Sequence, residues 1–253
     1  MPFSVPHSGG FLRNFPEGVK WLLIANIGVF VAYFFATLSG LGGLFAPFEL
    51  VPSEVLGSLA IWQLATYLFL HDPGGFSHIL FNMLTLWMFG ADLERTWGRK
   101  RFLQYYFLCG IGAGICVVIA SVIFQSGGRT IGASGAIYGL LLAFGMMYPD
   151  RQVLFSFLFP IKAKYFVMIL GAIAFLSSFA SSGGPVSHIA HLGGMLFGWA
   201  YLRSRSPARS LGRPQTSFWS NVRGQYEEWR LQRARRKFQV YMNKKKDQDP
   251  RVH

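Results

Sequence analysis

Five polar side chains stand out because they interrupt otherwise apolar stretches. His78 and Asn82 lie four residues apart in FSHILFN, a spacing that places them on one face of a helix. Ser134 lies in IGASGAIYG, and His188 and His191 lie in VSHIAHLGG. A histidine near a serine permits nucleophilic catalysis, because the imidazole can take the proton of the weakly nucleophilic hydroxyl. Taken alone, each residue is better explained by a structural role, as backbone hydrogen bonding for the serine and as hydrogen bonding between helices for the asparagine and the histidines.

Attack on a carbonyl also requires groups that stabilise negative charge on its oxygen. Ser134 is expected at the N-terminus of a helix, where unpaired amide groups and the helix dipole favour an anion. His78 and Asn82 would supply further donors to the same pocket, and Gly132 would let the preceding loop shape itself around it. The pattern therefore predicts an oxyanion site beside the serine.

The apolar stretches contain no internal Asp or Glu, so this serine and histidine would form a dyad without an acidic third member. Packing would then orient the histidine, and Tyr138, one turn after Ser134, is the best-placed aromatic residue. His71, His78 and His191 suggest a metal site as an alternative. That alternative is weak because the HExxH pattern is absent and no carboxylate ligand is near, so neither a metal nor a cofactor is expected.

The composition indicates which elements position these residues. The chain has 253 residues, of which 52% are hydrophobic and only 14% charged, against about 25% in soluble domains. Charge-poor apolar runs cover about 20–38, 76–91, 102–124, 131–148, 165–181 and 186–202. Several approach the roughly 20 residues that cross a bilayer as a helix. The predicted fold is an all-α membrane protein, a bundle of six transmembrane helices.

The basic residues predict its orientation. The formal net charge is +13, from 24 Lys and Arg against 11 Asp and Glu. With a cytoplasmic N-terminus, Arg129 is the single basic residue outside and the other 23 lie inside, as the positive-inside rule requires. Both termini are then cytoplasmic. The serine, the asparagine and the histidines fall near the outer ends of three helices, and this shared depth suggests one site.

Pairs of small residues indicate how two of these helices meet. Gly135 and Gly139 follow the serine in the fourth helix, and Gly194 and Gly198 follow the motif histidine in the sixth. Glycines at this spacing let helix backbones approach closely in lipid. If the fourth and sixth helices pack through these faces, the serine hydroxyl comes within hydrogen-bonding reach of the imidazole.

Three segments follow from these predictions: a cytoplasmic N-terminal segment at 1–19, a six-helix domain at 20–203 and a basic cytoplasmic tail at 204–253. The external loop at about 39–75 has no Lys or Arg and many apolar residues. We expect it to lie partly submerged in the interface as short helices, with a simple packing lid as the alternative.

The basic tail has two equally weighted interpretations. Residues 226–242 have helical periodicity among many arginines, which predicts either an amphipathic helix on anionic lipid or a solvated tail that reinforces topology. Nucleic-acid binding is not expected, because no recognised nucleic-acid module accompanies these charges.

Together these motifs resemble the rhomboid family of intramembrane serine proteases. The match covers about residues 62–202 and comprises WQLATYLFLH leading into HILFNMLTLWMFG, then LERTWG, GASGAIYG and AHLGGMLFG, in the family's order. The resemblance implies the following roles: nucleophile for Ser134, general base for His191, oxyanion site for His78 and Asn82 with Gly132 beside it, and packing on the catalytic histidine for Tyr138.

Other matched positions are informative as well. Glu94 and Arg95 match a polar pair of structural importance in the family, and His188 is expected to face the external loop or a packing surface. The chain departs from the family in the seven-residue spacing from His71 to His78 and in the absence of arginine from the external loop. These departures concern the loop rather than the chemistry.

The resemblance implies cleavage of transmembrane segments of membrane-anchored proteins near the outer face. An intact helix hides its carbonyls in internal hydrogen bonds, so a segment prone to unwinding is the expected substrate. Expected partners are single-pass or other membrane-protein substrates and membrane lipid.

The sequence is also compatible with other functions and locations. The main alternative function is a non-proteolytic rhomboid-like protein that binds client transmembrane helices, and a channel or transporter is less favoured because inverted repeats and a charged pathway are lacking. The bare six-helix core without an evident transit peptide favours a bacterial cytoplasmic (inner) membrane, with an organellar membrane as the alternative.

Overall fold

The computed structural model describes residues 15–125, 128–155, 159–178 and 185–205. The N-terminal residues 1–14 and the tail from 206 onward, with its predicted helix at 226–242, lie outside the described residues. Within the described ranges the chain folds mainly into helices.

The helices are α1 (Glu17–Leu38), α2 (Pro52–Gly57), α3 (Gln63–Thr66), α4 (Phe76–Thr85), α5 (Ala91–Trp97), α6 (Arg99–Ile123), α7 (Ser134–Met147), α8 (Ala163–Ser177) and α9 (Pro185–Arg205). Two 3₁₀ segments at Gly42–Phe48 and Tyr67–Phe69 and a π-helical turn at Leu86–Gly90 connect some of them. Strands β1 (Gln152–Phe155) and β2 (Phe159–Lys162) pair antiparallel between α7 and α8, with Gln152 opposite Lys162.

Every predicted apolar run overlaps a described helix, and the second run comprises α4, the π turn and the first residue of α5. By length and composition alone, two of the described helices, α1 and α6, are suited to cross a bilayer, whereas α7 and α8 are apolar but shorter. The count of six membrane spans therefore stays a prediction. The fourth run begins as a helix only at Ser134, because Gly132 has a φ of +119° that no α-helix accommodates.

Glu94 has a structural role, as expected for this position. Its buried carboxylate accepts hydrogen bonds from the backbone N–H groups of Gly18 at 2.8 Å and Val19 at 2.7 Å. These amides belong to the first turn of α1, where helix amides have no partner within the helix. Arg95 is instead exposed and lies 3.3 Å from Asp92. Glu94 therefore caps α1 from the neighbouring α5.

Helices α6, α7 and α9 form the centre of the bundle, and glycine makes their close approach possible. A Cβ on Gly194 would collide with the backbone of Gly135, which confirms the predicted contact between α7 and α9. Gly198, however, faces the Tyr105 hydroxyl of α6 rather than α7. The Tyr105 hydroxyl donates to the carbonyl of Gly139 at 2.8 Å, so α6 supports α7 from behind.

The loop between α1 and α4 contains short helical segments. Side chains of α3 hold it: the Gln63 carbonyl oxygen accepts from the Val51 N–H at 2.9 Å, and the Thr66 hydroxyl donates to the Phe48 carbonyl at 2.9 Å. Gln63 is completely buried. The loop thus has a defined internal structure, while its depth in lipid stays a prediction.

Candidate active site

Ser134 and His191 lie within hydrogen-bonding distance. Ser134 Oγ, at the first residue of α7, is 2.9 Å from Nε2 of His191, which lies in the second turn of α9. The close glycine contact between the two helices brings these side chains together although 57 residues separate them in sequence. The imidazole is thereby placed to take the hydroxyl proton.

The orientation of His191 is fixed by stacking rather than by a carboxylate. The Tyr138 ring lies parallel to the imidazole, with ring centroids 4.1 Å apart and an interplanar angle of 3°. His191 Nδ1 is buried and has no hydrogen-bond partner in the part of the chain that the structure describes. His188 packs nearly perpendicular to His191, with centroids 6.0 Å apart, so it contributes to the histidine's packing. Among the described residues, Ser134 and His191 thus form a hydrogen-bonded pair in which the histidine has no acidic partner.

The N-terminus of α7 is open to a ligand. Among the described residues, no side chain caps this end. The first amide groups of a helix have no intrahelical acceptor and carry the positive end of its dipole. They lie beside the hydroxyl of Ser134 and can therefore stabilise an oxygen that becomes negatively charged.

His78 and Asn82 line the same cavity as Ser134. The amide nitrogen of Asn82 donates one hydrogen bond to the His78 carbonyl at 2.8 Å. Since an amide carries two donor hydrogens, one remains for a ligand. Both side chains are thus where the motif spacing predicted them.

Gly132 contributes space rather than a donor. Its N–H already donates to the carbonyl of Tyr67 at 2.9 Å. A Cβ at Gly132 would lie 2.9 Å from Cε1 and 3.1 Å from Nε2 of His78. The absence of a side chain therefore lets the His78 ring lie against the loop that precedes Ser134.

The cavity itself has a volume of about 380 Å³ and is mostly apolar. Its walls come from α4, α7 and α8, and it is lined by Ser77, His78, Phe81, Asn82, Thr85, Ser134, Ile137, Tyr138, Leu141, Phe166 and Leu170. Sequence reasoning did not identify the apolar members. Phe166 and Leu170 in particular lie in a mostly apolar helix, where no pattern distinguishes a cavity wall from a lipid-facing surface.

His71 lies behind His78 rather than in the cavity. It is completely buried, and its ring centroid is 5.2 Å from that of His78. Burial, together with the neighbouring His78, lowers the pKa of His71 to about 4, so this side chain is neutral at pH 7. Within the described ranges, the structure places no three His, Cys, Asp or Glu side chains where they could hold a metal ion.

Comparison with known proteins decides the family. A family model described as the rhomboid domain matches residues 58–207, more than half of the chain. The chain belongs to the rhomboid family. As a member, it is an integral membrane protein.

Relatives of this rhomboid-family chain come from several kinds of organism. It is 31% identical over 129 residues to the mitochondrial Rhomboid protein 1 of Saccharomyces cerevisiae, covering 50% of this chain and 37% of that protein. It is 37% identical over 138 residues to the rhomboid protease GluP of Bacillus subtilis, covering 54% and 25%. It is 35% identical over 141 residues to the putative rhomboid protease YdcA of the same organism, covering 54% and 64%. The chain therefore spans less than two thirds of each of these relatives.

Proposed function

We propose that this rhomboid-family chain is an intramembrane serine endopeptidase that cleaves transmembrane segments of membrane-anchored proteins near the outer face. The observation that carries the proposal is the 2.9 Å separation of Ser134 Oγ and His191 Nε2 at the open N-terminus of α7. Two of the relatives are named as rhomboid proteases, one of them as putative, which favours the same activity.

The reaction begins when His191 Nε2 takes the proton of Ser134 and Oγ attacks the scissile carbonyl carbon. The carbonyl oxygen becomes an oxyanion, which the first amides of α7 and the side chains of His78 and Asn82 stabilise. His191 then gives its proton to the departing amine, and the peptide bond breaks to leave an acyl-serine ester. A water molecule, deprotonated by His191, hydrolyses that ester and restores the hydroxyl. These steps require no metal or cofactor.

The short length of α7 supports a site below the membrane surface. The helix has 14 residues, which span about 21 Å at 1.5 Å per residue. The hydrocarbon core is about 30 Å thick. If the C-terminal end of α7 reaches the cytoplasmic boundary, Ser134 lies roughly 10 Å inside the outer boundary. The polar groups around Ser134 then provide the environment that water needs at that depth.

The cavity favours an unwound apolar substrate segment. Most of the surface that lines it is apolar. The polar groups belong to Ser77, His78, Asn82, Thr85, Ser134 and the hydroxyl of Tyr138. A helical segment offers no free carbonyl, because its carbonyls are bonded within the helix. The partners we propose are therefore single-pass or other membrane proteins whose segments unwind near the outer face.

The test compares purified full-length variants in detergent micelles and liposomes on a panel of single-pass membrane-anchored substrates. Ser134→Ala and His191→Ala should each lower the cleavage rate by at least ~10³-fold, because nucleophile and base act as one unit. A matched control is Ser121→Ala, which removes a hydroxyl of α6 that, among the described residues, donates to the Val118 carbonyl of its own helix. This control should cleave at the parent rate.

Equal cleavage by the parent and Ser134→Ala would show that the proposed mechanism is wrong. If the parent cleaves none of the panel but binds its members as tightly as Ser134→Ala does, the non-proteolytic client-binding alternative is favoured.

A bacterial cytoplasmic membrane stays our proposed location, with both termini inside. The relatives do not decide it, since one is named as mitochondrial and another, from Arabidopsis thaliana, as chloroplastic. Fractionation of the native cell, followed by detection of the chain, tests the location directly.

A further inference from the structure

The segment that leads into Ser134 is attached to the external loop. Leu50 and Thr130 form an isolated antiparallel bridge, in which the N–H of each residue donates to the carbonyl of the other at 3.0 and 2.9 Å. Helix α7 begins four residues after Thr130, at Ser134. The bridge therefore constrains the path of the chain just before the proposed nucleophile.

A charged pair flanks this bridge. Glu49 precedes Leu50 and its side chain is 3% exposed, whereas Arg129 precedes Thr130 and its side chain is 73% exposed. Arg129 Nη1 lies 3.4 Å from Oε2 of Glu49, and the Tyr33 hydroxyl of α1 donates to Oε1 at 3.1 Å. One carboxylate thus joins α1, the external loop and the segment before Ser134.

Because the Glu49 carboxylate is buried, it does more than keep the protein surface soluble. Removing a carboxylate from water is costly unless charged or hydrogen-bonding partners compensate it. Exposed ion pairs, by contrast, contribute little. The Glu49 and Arg129 pair is asymmetric, because the acid is enclosed and the base reaches it from outside. The enclosed acid therefore gives the base a fixed partner next to the site loop.

A neighbouring support acts on the same segment. The N–H of Gly132 donates to the carbonyl of Tyr67, which directly follows α3, while Thr66 of α3 holds the carbonyl of Phe48. The site loop and the chain around Glu49 therefore rest on one short stretch of backbone. The charged pair adds a side-chain link between these two loops above that support.

We propose that Glu49 is a positioning residue for the active site. Through Arg129 and the Leu50–Thr130 bridge it holds segment 129–133 in place, and so fixes the contact of Gly132 with His78 and the direction of the Ser134 hydroxyl. The catalytic consequence rests on the proposed function, but the effect on the segment does not.

Hydrogen–deuterium exchange tests the positioning without any substrate. Glu49→Gln keeps the size of the side chain and removes its charge. In the full chain in detergent micelles, exchange of the peptide that contains the Thr130 and Gly132 amides should quicken by ~10-fold. Arg99→Gln is the matched control, because it removes an ion pair of 2.8 Å with Glu17 at a distant exposed site. Exchange in α6 reports whether each variant is folded.

The positioning proposal is overturned if folded Glu49→Gln protects this peptide as well as the parent, or if Arg99→Gln exposes it equally.

Kinetics of cleavage test the catalytic consequence. Glu49→Gln and Arg129→Gln should each lower kcat by ~10-fold with KM changed less than twofold, because the reacting atoms are misplaced while the cavity stays intact. The double variant should be no slower than Glu49→Gln, since contacting residues are non-additive. Arg129→Lys, which keeps the charge, should retain most of the rate.

Unchanged kcat in Glu49→Gln, or a double variant whose loss is the product of the single losses, would contradict the catalytic consequence. Cleavage that does not depend on Ser134 would instead refute the proposed function, and the exchange result would still decide the positioning.

Discussion

His191 acts in the proposed reaction without a carboxylate behind it. Its Nδ1 atom is buried without a partner among the described residues, and its plane is set by the parallel ring of Tyr138 and the edge contact with His188. Stacked aromatic rings favour a parallel, offset arrangement, which contributes about 0.5–1.5 kcal/mol beyond the buried area. At the residue scale, the geometry therefore depends on packing, and a substitution that disturbs this packing should lower the cleavage rate.

Gly132 provides the sharpest test at this scale. Gly132→Ala should lower the cleavage rate by ~10-fold or more and the free energy of unfolding by about 1–3 kcal/mol. Its φ of +119° disfavours any side chain, and a Cβ would lie 2.9 Å from the ring of His78. Cleavage rates and thermal unfolding in micelles measure both effects.

The matched control for Gly132 is Gly40→Ala, where φ is +74° and nothing lies within 4 Å of the added Cβ. This variant should lose about 1 kcal/mol of stability and keep its activity. A Gly132→Ala enzyme as active as Gly40→Ala would show that the contact with His78 has no role in the site.

At the scale of elements, the site depends on the contact between α7 and α9. Gly194 lies so close to the backbone of Gly135 that no side chain fits between them, and Gly139 is closed in by Cys109 of α6. Because the two backbones are in contact, any group that separates α7 from α9 also separates the side chains that these helices carry. The contact between Gly135 and Gly194 therefore determines the distance between Ser134 and His191.

Gly194→Ala should accordingly separate the two helices. We expect a loss of about 2–4 kcal/mol in the free energy of unfolding from overpacking, and loss of labelling of Ser134 by a fluorophosphonate probe. Thermal unfolding and probe labelling of the full chain, below the unfolding midpoint, measure the two effects. Gly28→Ala is the control, because an added Cβ there meets nothing within 4 Å. If Gly194→Ala is labelled as fast as Gly28→Ala, the close contact does not set the dyad.

Sequence reasoning succeeded where a polar residue or a glycine pair interrupts an apolar helix. It placed Ser134 beside His191, stacked Tyr138 on the imidazole and brought α7 against α9. It did not predict that Gly198 packs against α6, because a pair of glycines does not specify which helix it contacts. It also missed the links from Glu49 to Arg129 and from Glu94 to α1, because contacts between loops depend on tertiary structure rather than on any local period.

At the scale of the whole molecule, ion pairs show which helix ends lie together. Arg99 at the start of α6 pairs with Glu17 at the start of α1, and Arg151 after α7 pairs with Asp92 of α5 at 2.7 Å. Most of the described basic residues cluster at this end, whereas Ser134 lies at the opposite end of α7. At the end near Ser134, the described charged residues are one base, Arg129, and three acids, Glu49, Glu54 and Asp72. The charges thus separate along the helix axes, as the positive-inside rule requires of a protein with a cytoplasmic basic end.

This separation of charges predicts from which side of the membrane a single introduced cysteine is accessible. Ser58→Cys lies in the exposed external loop and Lys100→Cys at the exposed start of α6. A membrane-impermeant maleimide added to intact cells should label Ser58→Cys at once and Lys100→Cys only after detergent opens the membrane, because moving the basic end outward would oppose the bias of 23 basic residues to one. The parent is the background control, since its Cys109 is buried and Cys116 half-buried within α6. Immediate labelling of Lys100→Cys with protection of Ser58→Cys would show that the topology is the inverse of the predicted one. The open end of α7 and the proposed cleavage site would then lie on the cytoplasmic side.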